Sequence, residues 1–427
     1  MVKPLRLARD SPPAQAGSLA SSGGRVPRGM HPWYARAKRK LRVGKKYLVG
    51  PFLCSFAAWT IGNGTVALVP LFAIERGASA AGSGLFLAFA FLCLALGTFA
   101  PGLLPKGFAH RRVLLVASGI LWMLLSLLTS GTTTLVAYAA TLGGCFFLGG
   151  IVLTQTAVLA GLAAPPQERG TAFGILGMTN GMGSLVGGFG AGWLADRFGF
   201  QGVFDGVAVV CVLVVAGGLL SVESRVEQAA STPRENAQRP ARPRSIGAVS
   251  AGLLLLLAAN LFLSVTNSTA NLGRSLVMNQ HGFSKLTINL TQSMSGAAGL
   301  CAALALGWLS DKVGRRWVLV GSYLLTSAGL LVLGFSQQLW HFYVFAGLIA
   351  FLSVPTAVGT AYLMDVVPRE SAARGVSFFQ AIFWAGNIGG LVALGAAFEH
   401  LGTVAPVLYS ALFPIAGIVC LLLIRKR

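Results

Sequence analysis

The chain is poor in charge, and poorest in negative charge. Only 12 of its 427 residues are Asp or Glu, and charged residues of both signs make up 11%, against roughly 25% in soluble domains. So few charges exclude a water-facing surface over most of the length. The signatures of catalysis are missing too. There is no HExxH and no GxSxG, and the one Gly-Lys pair, Gly44-Lys45, runs into Lys46 without a phosphate-loop context. An ATP-driven pump and an enzyme are therefore not expected, and neither is a cofactor or a metal. The six cysteines include no CxxC pair. Each falls in an apolar run and reads as a small buried hydrophobe.

What the chain has instead is apolar length. Hydrophobic residues reach 55%, and runs of about 20 residues, enough to cross ~30 Å of hydrocarbon as a helix, recur throughout. They fall near 48–74, 83–105, 113–131, 134–163, 171–193 and 203–221, then 248–272, 288–309, 317–335, 340–366, 375–398 and 405–424. The 55 glycines suit helices that approach closely in lipid. The expectation is an all-α membrane protein of twelve transmembrane helices. It divides into a basic, disordered cytoplasmic tail over 1–47, a six-helix bundle over 48–221, a cytoplasmic linker over 222–247 and a second six-helix bundle over 248–427. Met30 is a second candidate start, because the residues before it read as low-complexity sequence.

The net charge of +21 is confined to connections and ends, with no basic face of the kind nucleic acid requires. With the amino terminus inside, 29 of the 33 Lys and Arg lie on the inner side and only Arg76, Arg197, Arg274 and Lys285 outside. The positive-inside rule then puts both termini in the cytoplasm of a cell (plasma) membrane protein. The run from Arg36 to Lys46 is a candidate contact for anionic lipids.

The two halves repeat at an offset of 205 residues. Gly77 and Ser79 match Gly282 and Ser284, Gly102 matches Gly307, Arg111 matches Arg316, and Arg169, Gly170 and Phe173 match Arg374, Gly375 and Phe378. Six-plus-six repeats place a solute site near the midplane, between the halves.

Between segments eight and nine stands Gly307-Trp-Leu-Ser-Asp311-Lys-Val-Gly314-Arg315-Arg316. It resembles the loop signature of the major facilitator superfamily, G-x-L-x-D-x-x-G-R-[KR], and the likeness extends over nearly everything after residue 47. The resemblance implies an alternating-access transporter, monomeric, in which this loop latches the halves on the cytoplasmic side. Gly307 would allow close helix packing and Gly314 a tight turn. Asp311 would meet the start of segment five near Gly170 and Thr171, and Asp365 would pair with Arg315. The first-half loop, Gly102 to Arg112, holds no acid, so one strong latch is expected rather than two. Segment five, from Gly181 to Gly188, is similar to the family's antiporter motif, with Ser184 where proline is usual. Close packing explains its glycines equally well.

The resemblance also implies that segments one, four, seven and ten line a cavity, beside two, five, eight and eleven. Their polar residues are mostly neutral: Trp59, Asn63, Gln155, Asn180, Asn260, Asn267, Asn271, Gln292, Tyr362, Gln380, Trp384 and Asn387. Amides that donate and accept, beside aromatic faces, suit a neutral or amphiphilic solute. No charge falls in the middle of any segment. Glu75, Arg76, Asp205 and Arg274 sit at outer ends, so a multiply charged anion is disfavoured and any coupling acid is Glu75 or Asp205. Export of amphiphiles is favoured over uptake of a neutral polar solute such as a sugar. The reading from another class is a membrane sensor or scaffold that has lost transport.

Overall fold

The structure is a computed structural model that describes residues 48–103, 111–163, 169–221, 251–366 and 372–424. The expected tail over 1–47 and linker over 222–247 lie outside them. Every regular element among the described residues is a helix. The first span is Val49–Val66 followed, at a 42° bend, by Val69–Glu75. Pro70 stands at the start of the second piece, where a missing backbone N–H breaks no hydrogen bond. Ala80–Leu103, Arg111–Ser130 and Leu135–Ala163 are the second to fourth spans. The fifth and sixth form one 52-residue run, Arg169–Leu220, divided at Gly199, whose φ of +68° only glycine adopts freely.

The seventh span runs Ala251–Gln280 and contains a π-helical turn, Thr269–Gly273. Lys285–Val313 and Arg315–Gly334 follow as the eighth and ninth. The tenth changes helix type three times: α over Leu339–Ile349, 3-10 over Ala350–Ser353, π over Pro355–Gly359 and α again over Thr360–Val366. Ala372–Leu401 is the eleventh, and Val404–Ser410 with Leu412–Leu423 the twelfth. Among the described residues nine helices are individually long and apolar enough to cross a bilayer. Division at Gly199, the bent first pair and the broken tenth span bring this into agreement with twelve crossings.

Alternating spans give the bundle two ends. Gly50 beside Ser221, and Arg316 beside Ile424, mark a proximal end. The turns after Glu75, Ser130, Phe198, Gln280, Gly334 and Leu401 mark the distal end. Each six-helix set has its own core. One is built on Cys54, Trp122, Val152 and Val214, the other on Leu256, Tyr323, Val358 and Leu421. A larger cluster runs through both sets: Phe72, Tyr138 and Phe204 belong to it, with Leu276, Met278, Phe342 and Phe398. In lipid such clusters gain by tight packing rather than by leaving water.

Spans one and five pack backbone to backbone: a methyl group on Gly187 would stand 2.0 Å from the carbonyl oxygen of Thr60. Gly188, on the neighbouring face, is filled against Ser293 of the eighth span. The glycine-rich segment five is thus a two-sided packing surface. Gly307 differs from expectation, since a Cβ there would meet nothing within 4 Å. Among the described residues it faces open space in this state. The six cysteines are free thiols, but Cys301 is exposed on its helix and is not a core residue.

Candidate functional site

A cavity of about 670 Å³ lies between the two six-helix sets. Its aromatic lining includes Trp59, Phe91, Phe146, Phe383 and Trp384, and Asn63, Asn180, Asn267, Asn271, Gln292 and Gln380 supply amides. Phe91 and Trp384, from opposite sets, approach with ring centroids 5.9 Å apart. Asn63 donates through Nδ2 to Asn180 Oδ1 at 2.9 Å, which links spans one and five at the wall.

Four expected lining residues are elsewhere. Gln155 is 3% exposed and accepts from Arg111 Nη1 at 3.4 Å, outside the cavity lining. Asn260 donates to the carbonyl of Phe379 at 2.7 Å, binding span seven to span eleven. Asn387 is fully buried, and its carbonyl accepts from Ser268 Oγ at 2.7 Å. Tyr362 packs against the core of the second set. Asn260 shows the physical reason most directly. A polar group facing a neighbouring helix in lipid takes the nearest carbonyl or amide as partner, and composition does not tell that face from the cavity face.

The larger correction concerns charge. Arg274 is not a terminal residue at a water interface. It is 1% exposed and lines the cavity. The seventh span extends to Gln280, past the expected end near 272, and the π turn just before Arg274 inserts a residue into the helical phase. Nη2 donates to Gln292 Oε1 and, at 3.3 Å, to Asn271 Oδ1. Nη1 reaches Ser295 Oγ at 3.5 Å. The argument against a multiply charged anion, that no buried Arg or Lys faces the cavity, therefore loses its premise.

The coupling candidates lie outside the cavity lining. Glu75 forms an ion pair of 2.7 Å with Lys285 across the two sets, and Asp205 is exposed on the sixth span. Two other acids make the more ordered contacts. Asp196, at the distal end of span five, accepts from the backbone N–H groups of Lys285 and Leu286 at 3.0 and 3.2 Å. Glu399, at the distal end of span eleven, accepts from Ser79 Oγ at 2.7 Å and the N–H of Ala81 at 3.1 Å. Each carboxylate satisfies free N–H groups at the start of a helix belonging to the other set. Gly199 and Gly402 follow them three residues on, at φ +68° and +71°, and Gly77 and Gly282 precede the capped helices at φ +83° and +73°. Gly77 and Gly282 obey the 205-residue offset, whereas Asp196 and Glu399, like Gly199 and Gly402, stand 203 residues apart, so the fixed offset did not point to Glu399.

Other bonds across the halves gather toward the same end. Ser275 Oγ donates to the carbonyl of Ala67 at 2.9 Å, and Asn289 Nδ2 to that of Gly64 at 2.8 Å.

At the proximal end Gly314 has φ +101°, as the tight turn requires. Arg315 donates to the carbonyl of Ala361, one helical turn before Asp365. Arg316 donates to the carbonyls of Leu422 and, at 3.1 Å, Ile424, capping the last helix rather than meeting a carboxylate. The side chains of Asp311, Asp365, Gly170 and Thr171 lie outside the described residues, as does Glu168.

Two sets of six helices around a shared, partly polar cavity define a membrane solute transporter. The chain belongs to the Major Facilitator Superfamily, whose family model matches residues 51–272 and 254–427. It is 24% identical over 378 residues to the multidrug resistance protein MdtG of Escherichia fergusonii, covering 83% of this chain and 88% of that one. With MdtG of Dickeya zeae it shares 27% over 201 residues, 45% of this chain and about half, 48%, of that one. Among solved structures it resembles the nucleoside transporter NupG with a TM-score of 0.72 at 12% identity, over 89% of this chain and 100% of that one. For a D-xylose-proton symporter the TM-score is 0.66 at 15% identity, over 90% and 97%. At such identities the likeness is one of fold alone.

Proposed function

We propose that this protein exports amphiphilic organic solutes from the cytoplasm by alternating access, its proximal end facing inward. The observation that carries the reading is the cavity between the halves, with Trp59, Phe91 and Trp384 for an apolar body and a ring of amides for a polar one. The excess of Lys and Arg in the connections at the proximal end supports the orientation. The multidrug resistance proteins among its relatives support export. The distal contacts close one side of the cavity, as a solute loading from the cytoplasm requires. Trp59, Asn63, Asn267, Gln292, Gln380 and Trp384 are the proposed solute contacts. Gly314, Asp311, Arg315 and Asp365 are the proposed proximal latch of the opposite state.

The test is accumulation of a lipophilic fluorescent dye in efflux-deficient bacteria making the protein or its Asp311→Asn variant. Lower accumulation than in empty cells, restored by the variant at equal membrane abundance, is expected. Accumulation equal to that of empty cells across a dye panel would remove the export reading.

A further inference from the structure

Arg274 is the one charged residue among the described lining of the cavity. A guanidinium at membrane depth is costly, and in natural proteins it is nearly always paired or functional. Among the described residues its partners are all neutral: Gln292, Asn271 and Ser295, with the Phe345 ring 5.7 Å from the guanidinium carbon. Nε has no partner among the described residues. The described carboxylates are engaged or distant, with Glu75 on Lys285 and Asp196 and Glu399 on helix starts. Asp205 is exposed on the sixth span. The site therefore holds a full positive charge, oriented by amides and a hydroxyl, and supplies no negative one.

Orientation by neutral groups leaves the charge unneutralised, and the remaining need is for an anion. The planar fork of Arg matches a carboxylate or a similar oxyanion through two parallel N–H donors. Asn267 and Asn271 continue the polar wall from Arg274, Asn271 donating to the carbonyl of Asn267 at 3.0 Å. The apolar wall of Phe91 and Trp384 is part of the same cavity. We propose that Arg274 is the counter-ion for the head group of the transported solute, so that the cavity selects amphiphiles carrying a single carboxylate or comparable oxyanion. This rests on the cavity being the solute site, and it narrows the solute from amphiphiles in general to anionic ones.

The experiment uses the full chain purified in neutral detergent and two probes that differ only in the head, 1-pyrenebutyrate and 1-pyrenebutanol. Binding is read by energy transfer from the protein's tryptophans. The acid is expected to bind about tenfold more tightly than the alcohol, as a charge-assisted hydrogen bond implies. In Arg274→Gln that preference collapses to about one. Arg274→Lys keeps the charge without the fork and retains part of the preference. It also stands in for the Gln variant if the latter does not yield folded protein by size exclusion. Equal affinity of the parent for acid and alcohol overturns the proposal but leaves amphiphile export standing. So does an undiminished preference in the folded variants. Failure of folded parent protein to bind either probe overturns both readings.

Discussion

At the residue scale, two kinds of amide look alike in the sequence and differ in what they touch. Asn260 and Asn63 both lie in expected cavity helices. Asn260 is 3% exposed and locked onto the Phe379 carbonyl, whereas Asn63 stands at the cavity wall. Asn260→Ala leaves that carbonyl without its donor. It should lower unfolding stability in detergent by about 1 kcal/mol while dye affinity stays within about twofold. Trp384→Ala removes an aromatic wall shared with Phe91. Apparent affinity for the same dye should fall about tenfold, measured by direct titration. A loss in the first variant's affinity, or none in the second's, would reverse the assignment. Arg274 teaches the complementary lesson. Hydropathy ends a span at the first charge, and so placed this residue at the water interface. Nothing in a local pattern signals that a π turn carries the helix on to Gln280.

At the element scale, the helices were legible because each needs about 20 apolar residues, and their ends because Gly77, Gly199, Gly282, Gly314 and Gly402 all adopt positive φ. The breaks inside the first, seventh and tenth spans were less legible. Pro70 and Pro355 mark two of them, but a proline alone does not distinguish a bend from a helix start. The contacts of Asp196 and Glu399 were unreadable one helix at a time, because each partner belongs to a helix of the other set. Helix N-termini stabilise a carboxylate by about 0.3–1 kcal/mol each when exposed, and by more when partly buried. The double variant Asp196→Asn, Glu399→Gln should therefore shift the protein toward a distally open state. In a background without native cysteines, a cysteine at Asn271 should react several-fold faster with a membrane-impermeant maleimide added from the distal side. Unchanged labelling would mean that the aromatic cluster around Phe72 and Phe342 holds this end closed without them.

At the scale of the whole molecule, fold and family were readable from charge scarcity, apolar periodicity and the loop from Gly307 to Arg316. The position of the cavity was readable in outline, as the space between two repeats. Its electrostatic character was not. Orientation remains a proposal with a direct test. Fluorescent protein fused after Arg427 should fluoresce, and alkaline phosphatase at the same place should be inactive, if that end lies in the cytoplasm. Active phosphatase would invert the molecule and turn the proposed exporter into an importer.

The two carboxylate caps are reciprocal, because each half gives one and receives one. That is the pattern of an isologous dimer interface, where a patch on one subunit meets the complementary patch on its twin and the reverse occurs across the axis. A single six-helix chain carrying both an acid before one glycine turn and a free helix start after another would close on a second copy of itself with two identical caps. Covalent fusion of such copies frees the halves to diverge everywhere except at this reciprocal contact. Arg274 has no charged counterpart at the matching position of the first half, Val69, so a symmetric closure stands beside an asymmetric interior.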